Sequence, residues 1–184
     1  MTSHMVWLIS DLHLGHDNII AYENRPFINI FEMESAIKKN WASCVTKVDK
    51  VFILGDVAIH KSKQQVKEYI EGLPGYKTLI MGNHDLCHSV SWWHDVGFDA
   101  VSPYPIILDD FYMLSHKPLY LNSSMPYVNI HGHIHSKKIE GAKYVNVSVE
   151  QIEYKPVSFD EIKGKFNIDK VGAKDELHTM VRSE

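Results

Sequence analysis

Five short pieces of this chain carry donor atoms of the kinds that divalent ions bind: Asp11-Leu12-His13, Gly55-Asp56, Gly82-Asn83-His84-Asp85, Ser115-His116 and Gly132-His133-Ile134-His135. They offer carboxylate, amide oxygen and imidazole, with no thiolate, a set suited to Mn, Fe, Zn or Ni more than to Mg alone. In an extended loop, residues two apart can point to one side, so Asp11 with His13, and His133 with His135, can each address one region. A carboxylate such as Asp56 can bridge two cations and hold them ~3.5–4 Å apart despite their repulsion. Asn83 supplies a neutral oxygen. His84 must then point elsewhere, which frees it for acid–base work, with Asp85 as the group that orients it. Taken singly, each piece has a plainer reading. Asp11 is a turn or N-cap aspartate beside a surface histidine, Gly55-Asp56 a common turn, residues 82–85 a polar cap, and His116 a satisfied core histidine. What separates them from that background is their order and their setting, each behind an apolar run. His131, just before the last pair, reads as a structural strand residue.

The elements that must position these residues are legible from hydrophobic pattern. Val6 to Ile9, Val51 to Leu54, Thr78 to Met81, Phe111 to Leu114 and Tyr127 to Ile130 are short apolar runs of the length and composition of buried strands. Glycine at 55, 82 and 132 lets the backbone turn and lets ligands approach closely. Helical spacing predicts helices over 31–45, with a stripe of Phe31, Ile37, Trp41 and Val45, and over 63–70, ended by Gly72 to Gly75. A short helix over 89–96 carries Trp92 and Trp93, Asp109-Asp110 marks a hairpin turn, Val145 to Val149 reads as a late strand, and Phe159 to Lys163 as a closing helix. Strand–helix alternation followed by a strand-rich half predicts an α/β fold with a mixed sheet, the chemistry lying at the carboxyl ends of strands.

Composition bounds the rest. The 184 residues are expected to form a single domain over 1–184, with 169–184 as a fraying tail and residues 1–4 as a cloning remnant before Met5. A hydrophobic share of 45% and a charged share of 23% are globular values. The net charge of −4 argues against a constitutive nucleic-acid or membrane binder, though not against a nucleotide substrate, since bound cations reverse the field in a cleft. Cys44 and Cys87 have no ligand spacing and make no disulfide framework, so a reducing cytoplasm is the expected compartment. No apolar run approaches the ~20 residues of a membrane span. Histidine is the anomaly, with 12 in the chain and clusters at 13–16 and 131–135.

The ordered set D-x-H, G-D, G-N-H-D, lone H and G-H-x-H resembles the signature of calcineurin-like metallophosphoesterases, and it spans Asp11 to His135 with no departure. Gly15 to Ile20 and Arg25-Pro26-Phe27 look like a compact branch of that family found in bacteria and phages. The resemblance implies a sandwich of two mixed β-sheets flanked by helices. It implies two divalent ions, Mn favoured, one held by Asp11, His13, Asp56 and His135 and the other by Asp56, Asn83, His116 and His133. His84 is then the catalytic histidine: a water activated by the ion pair attacks phosphorus in line, and His84 protonates the leaving oxygen.

Outside that set, His16 reads either as a phosphate contact or as a surface histidine, and Arg25 either as a phosphate clamp or as a solvated loop arginine. Lys117, Lys137 and Lys138 are a positive rim or merely solubilising. Tyr22, Phe27, Trp92 and Trp93 are candidates to stack on a base, although the two tryptophans read first as packing. Three functions compete: a hydrolase of phosphodiesters (cyclic nucleotides, dinucleotides or nucleic-acid ends), a phosphomonoesterase on a metabolite or phosphoprotein, and a non-catalytic interaction module. The intact ligand set opposes the third. A small chain with no cap domain leaves an open site and leans toward diesters. Oligomeric state is not legible.

Overall fold

The structure, a computed structural model, describes residues 4–141 and 143–166; the expectations for residues 1–3 and for the tail after 168 lie outside them. Two mixed sheets form its centre. In the first, β4 (Ala100–Ser102), β3 (Tyr76–Ile80), β2 (Lys50–Ile53) and β1 (Val6–Ile9) run parallel, and β9 (Val157–Ser158) closes the edge antiparallel to β1. In the second, β5 (Ile106–Leu108) is antiparallel to β6 (Tyr112–Leu114), which is parallel to β7 (Val128–His131) and so to β8 (Tyr144–Asn146). The hairpin expected at Asp109-Asp110 joins β5 to β6.

Alternation along the first sheet builds two cores. Ile9, Ile53 and Leu79 face a helical layer, whereas their neighbours Leu8, Leu54 and Ile80 face Leu114 and Ile130 of the second sheet and Val147 just after it. The helical layer consists of α2 (Ile30–Ala42), α3 (Lys63–Glu71) and α4 (Val90–Asp95), and α5 (Phe159–Phe166) seals the inter-sheet core with Phe159 and Ile162. Caps set where these helices begin. The Asn29 side chain accepts from Glu32 N, Ser62 and Gln65 form a reciprocal capping box, and the Ser89 side chain accepts from Trp92 N.

Several boundaries differ from expectation. The buried stripe of α2 is Ile30, Met33, Ile37 and Trp41, while Phe31, placed in that stripe from its spacing, is exposed. A one-residue offset turns the face by 100°, and the Asn29 cap fixes the phase. The strand expected through Val149 stops at Asn146, because Val149–Gln151 coil into a 3₁₀ turn. α1 (Asn18–Tyr22), β4 and β9 are too short to show a period.

Candidate metal centre

The ligand candidates all lie in loops that leave strands at one end of the two sheets. Asp11 and His13 follow β1, Asp56 follows β2, Asn83 to Asp85 follow β3, His116 follows β6, and His133 and His135 follow β7. Five of these residues hold left-handed backbone: Asp11 (φ 60°), His13 (φ 52°), Asp56 (φ 55°), His133 (φ 71°) and His135 (φ 50°). Asp, Asn and His tolerate this region better than other non-glycine residues, yet each such residue costs of order 1–3 kcal/mol. At 11–13 and 133–135 both side chains of each pair point into the cluster.

Glycine makes the convergence possible. A Cβ on Gly82 would strike the Asp56 carboxylate and come within 2.6 Å of Asp56 N. One on Gly132 would strike Ser10 Oγ and Asp11 Oδ2. The side chains thus meet only because these two positions lack one.

Two groups result. Ligand atoms of Asp11, His13 and His135 lie within 4.8 Å of one another, as do those of Asp56, His116 and His133. Asp56 joins the groups: its Oδ2 is 3.6 Å from His13 Nε2 and 3.4 Å from His116 Nε2. Asn83 Oδ1 lies 3.0 Å from the same His116 nitrogen, and His133 Nδ1 lies 3.1 Å from it.

Hydrogen bonds fix the tautomers. His116 Nδ1 faces Leu54 O at 2.7 Å, so Nδ1 keeps a proton and Nε2, beside Asp56 and Asn83, is the nitrogen offered to a cation. His135 Nδ1 likewise donates to Glu150 Oε1 at 3.1 Å, turning Nε2 toward Asp11 Oδ1. Asp11 Oδ2 accepts from His133 N and Ser148 Oγ, but among the described residues its Oδ1 has no partner, nor has His13 Nε2. Two buried, orphaned lone pairs 3.9 Å apart, beside two imidazoles with fixed tautomers, fit divalent cations. Burial takes His13 down to about 2 despite the opposing Asp56 charge, so the imidazole is neutral as a ligand must be. In the metal-free protein burial pushes Asp56 upward, but the hydrogen bond and charge of protonated His116 and the His84 N–H outweigh it and hold the carboxyl at about 2.

His84 stands apart. It is 46% exposed, and its Nε2 lies 3.9 Å from Asp56 Oδ2, at the mouth of the cluster. His16 is there too, its Nδ1 3.2 Å from His13 Nδ1 and its ring 6.3 Å from that of His60.

Two expected roles need correction. Asp85 does not orient the His84 ring. It is fully buried and accepts from the backbone N–H groups of Asp56, Val57 and Gly82, thereby tying the β2 loop to the β3 loop. Burial lifts its carboxyl to about 6 while the Gly82 and Val57 N–H groups pull it down. Arg25 is neither a phosphate clamp nor a solvated loop arginine. Its guanidinium is buried, bonded to Glu150 Oε1 and to the carbonyls of Leu12 and Asp11. Glu150, unmarked in the sequence, thus links Arg25 to His135; a lone glutamate 125 residues from its partner gives no local signal. Of the aromatic candidates, Trp93 is fully buried and donates to Asp85 O, and Phe27 packs edge-on against Tyr154. Lys117, Lys137 and Lys138 are exposed.

A model of the calcineurin-like phosphoesterase family matches residues 4–176. The chain belongs to that family. Among its relatives, an uncharacterized protein of Methanocaldococcus jannaschii is 37% identical over 172 residues, which are 88% of this chain and 91% of that one. The gene 66 protein of Mycobacterium phage L5 is 38% identical over 87 residues, 46% of this chain and 42% of the phage protein. A solved structure of a protein of unknown function from Aquifex aeolicus superposes with a TM-score of 0.69 at 27% identity, covering 88% of this chain and 99% of the other. Membership of the phosphoesterase family and the clustered ligand groups support metal-dependent phosphoester hydrolysis. Among the described residues, no helix is long and apolar enough to cross a membrane.

Proposed function

We propose that this phosphoesterase is a dinuclear phosphodiesterase, with Asp11, His13, Asp56 and His135 holding one divalent ion and Asp56, Asn83, His116 and His133 the other. The observation that carries the reading is the position of Asp56 Oδ2, between His13 Nε2 at 3.6 Å and His116 Nε2 at 3.4 Å, where one carboxylate can serve both groups. When bound, the ions supply Lewis acidity, lowering the pKa of a water and neutralising phosphate oxygens. Mn is the favoured ion in assay. Nucleotides or nucleic-acid ends are the favoured substrates, and the cytoplasm is the expected compartment.

The chain's own residues do the remainder. His135 and His116 are held as neutral ligands by Glu150 and Leu54 O. His84, exposed at the mouth, donates its proton to the leaving oxygen, a contribution of order 10²–10⁴ in rate. Arginine chemistry favours diesters over monoesters. A monoester dianion gains most from a guanidinium fork, and Arg25, the only arginine among the described residues, uses its fork internally.

The test is hydrolysis of bis-p-nitrophenyl phosphate beside p-nitrophenyl phosphate, with added Mn²⁺, for wild type and His84→Ala. Metal-dependent diester turnover that the variant loses, at unchanged metal content, is the expected result. Faster monoester turnover refutes the diester reading, and parallel loss of metal makes His84 a ligand.

A further inference from the structure

A cavity of about 340 Å³ opens directly beside His84. His84 and Asn83 form its edge toward the metal centre, and His60, Lys61, His88 and Trp92 are among the residues that line it. No carboxylate belongs to its lining. Inside it, the His88 ring lies flat on Trp92 with centroids 3.8 Å apart and planes 6° from parallel, and Trp93 buttresses Trp92 edge-on at 4.7 Å. Trp92 and His88 are each half-buried, so the stack is fixed from behind and accessible from the cavity.

We infer that this cavity is the leaving-group subsite, and that it takes a nucleoside whose base extends the His88–Trp92 stack. The inference rests on the proposed function in one respect: the group that His84 protonates must lie beside His84, and the cavity has His84 in its lining and only Asn83 of the proposed ligands. Three features choose a nucleoside. The volume is that of a small-molecule site. A rigid aromatic stack is the platform on which bases of any identity bind, through π-faces rather than edge-specific hydrogen bonds. His60 and the Asn83 amide NH2 in the lining supply polar partners for ribose hydroxyls; the Lys61 ammonium is paired with Glu34 at 3.1 Å, and no carboxylate belongs to the lining to repel an adjoining phosphate. Cleavage here breaks the bond from phosphorus to the leaving oxygen; the oxygen of water adds to phosphorus and its proton passes to solvent, while the proton from His84 completes the nucleoside hydroxyl and His84 is reprotonated from solvent. Trp92 and His88 take no part in that step, so they set specificity and not chemistry.

The experiment has two arms. In the first, kcat and KM are measured with Mn²⁺ for a dinucleoside monophosphate and for its analogue in which the leaving nucleoside is abasic. Stacking predicts that wild type prefers the intact substrate by roughly 5- to 150-fold in KM. His88→Ala and Trp92→Ala should lose that preference while kcat changes little, and Trp92→Phe should keep most of it. In the second arm, adenosine 5′-monophosphate titrated into metal-free protein should quench tryptophan fluorescence saturably, and Trp92→Phe should abolish the quench. Equal KM for the two diesters, a preference that survives both alanine variants, or no quench overturns the subsite, even with bis-p-nitrophenyl phosphate hydrolysed normally. A saturable quench in a protein that hydrolyses no phosphoester overturns the proposed function and leaves the nucleoside pocket standing.

Discussion

Arg25→Met separates two meanings of an arginine that the sequence places near phosphate chemistry. In the structure its Nε and one terminal nitrogen both donate to Glu150 Oε1, at 2.9 and 2.6 Å, and its two terminal nitrogens reach Leu12 O at 3.2 Å and Asp11 O at 2.9 Å. The guanidinium is wholly buried and the Glu150 side chain nearly so. Methionine roughly keeps the volume but strands a buried carboxylate and two carbonyls. Breaking a buried pair from one side costs about 3–5 kcal/mol, and in a domain of this size each kcal/mol moves Tm by roughly 2–4 °C. We therefore expect Tm to fall by about 6–20 °C in the metal-free protein. Because Glu150 also holds His135 Nδ1, Mn²⁺ affinity should fall about 10- to 100-fold. The double variant Arg25→Met/Glu150→Gln should recover part of the stability, since no charge is then left unpaired. Thermal unfolding, isothermal titration with Mn²⁺ and steady-state kinetics at saturating metal are the assays. Native stability and metal affinity, combined with a raised KM for diester, would show a clamp on substrate and refute the buried-link account.

Four other outcomes follow from the same geometry. Gly82→Ala drives a Cβ into the Asp56 carboxylate, so the proposed bridging ligand shifts and kcat should fall on the order of 100-fold with circular dichroism unchanged. Asp85→Asn faces at least one backbone N–H with another donor and should cost about 1.5–3 kcal/mol in urea unfolding. Its kcat should nonetheless fall far less than that of His84→Ala, because Asp85 does not touch that ring; an equal loss of kcat would restore its orienting role. Chelation should lower Tm, and Mn²⁺ at ~100 times its Kd should return about 2.7 kcal/mol of stability. In the metal-free protein, burial pulls His116 and His135 down, but hydrogen bonds and charge from Asp56, for His116, and Glu150, for His135, raise both above the ordinary imidazole value. Protons then compete best at low pH, so Mn²⁺ affinity should decline as pH falls through neutrality; a flat pH profile by titration calorimetry would contradict that assignment.

Most of the metal cluster was legible because its signal is local. A strand of alternating Leu8 and Ile9, or of Ile53 and Leu54, announces itself by composition, and the ligand follows within two residues. The geometry of a strand end then does the positioning, so order along the chain translates into proximity. The misreadings share one physical origin, namely long-range pairing. Nothing near Arg25 shows that Glu150 will neutralise it, and nothing near Asp85 shows that the amides at 56 and 57 need an acceptor. Phe31 failed for a different reason. Helical spacing fixes a stripe only up to its phase, and the phase was set by Asn29, outside the apolar pattern. Strands of two or three residues, such as β9 and β4, exist through their neighbours' hydrogen bonds and leave no period to read.

The left-handed ligands also shape how this protein can age in evolution. At Asp11, His13, Asp56, His133 and His135 the backbone favours glycine while the chemistry demands a donor. Ordinarily a lost side chain loosens a protein, but here replacement by glycine should relax the chain at the same position where it removes a proposed ligand. On the proposed function, selection for turnover is what would hold these five residues in place. A lineage released from that selection is expected to drift to glycine or asparagine at these turns first, with the sheets around them intact. Such a descendant would carry the whole architecture and none of the catalysis, and its glycines at strand ends would mark where the ions had been.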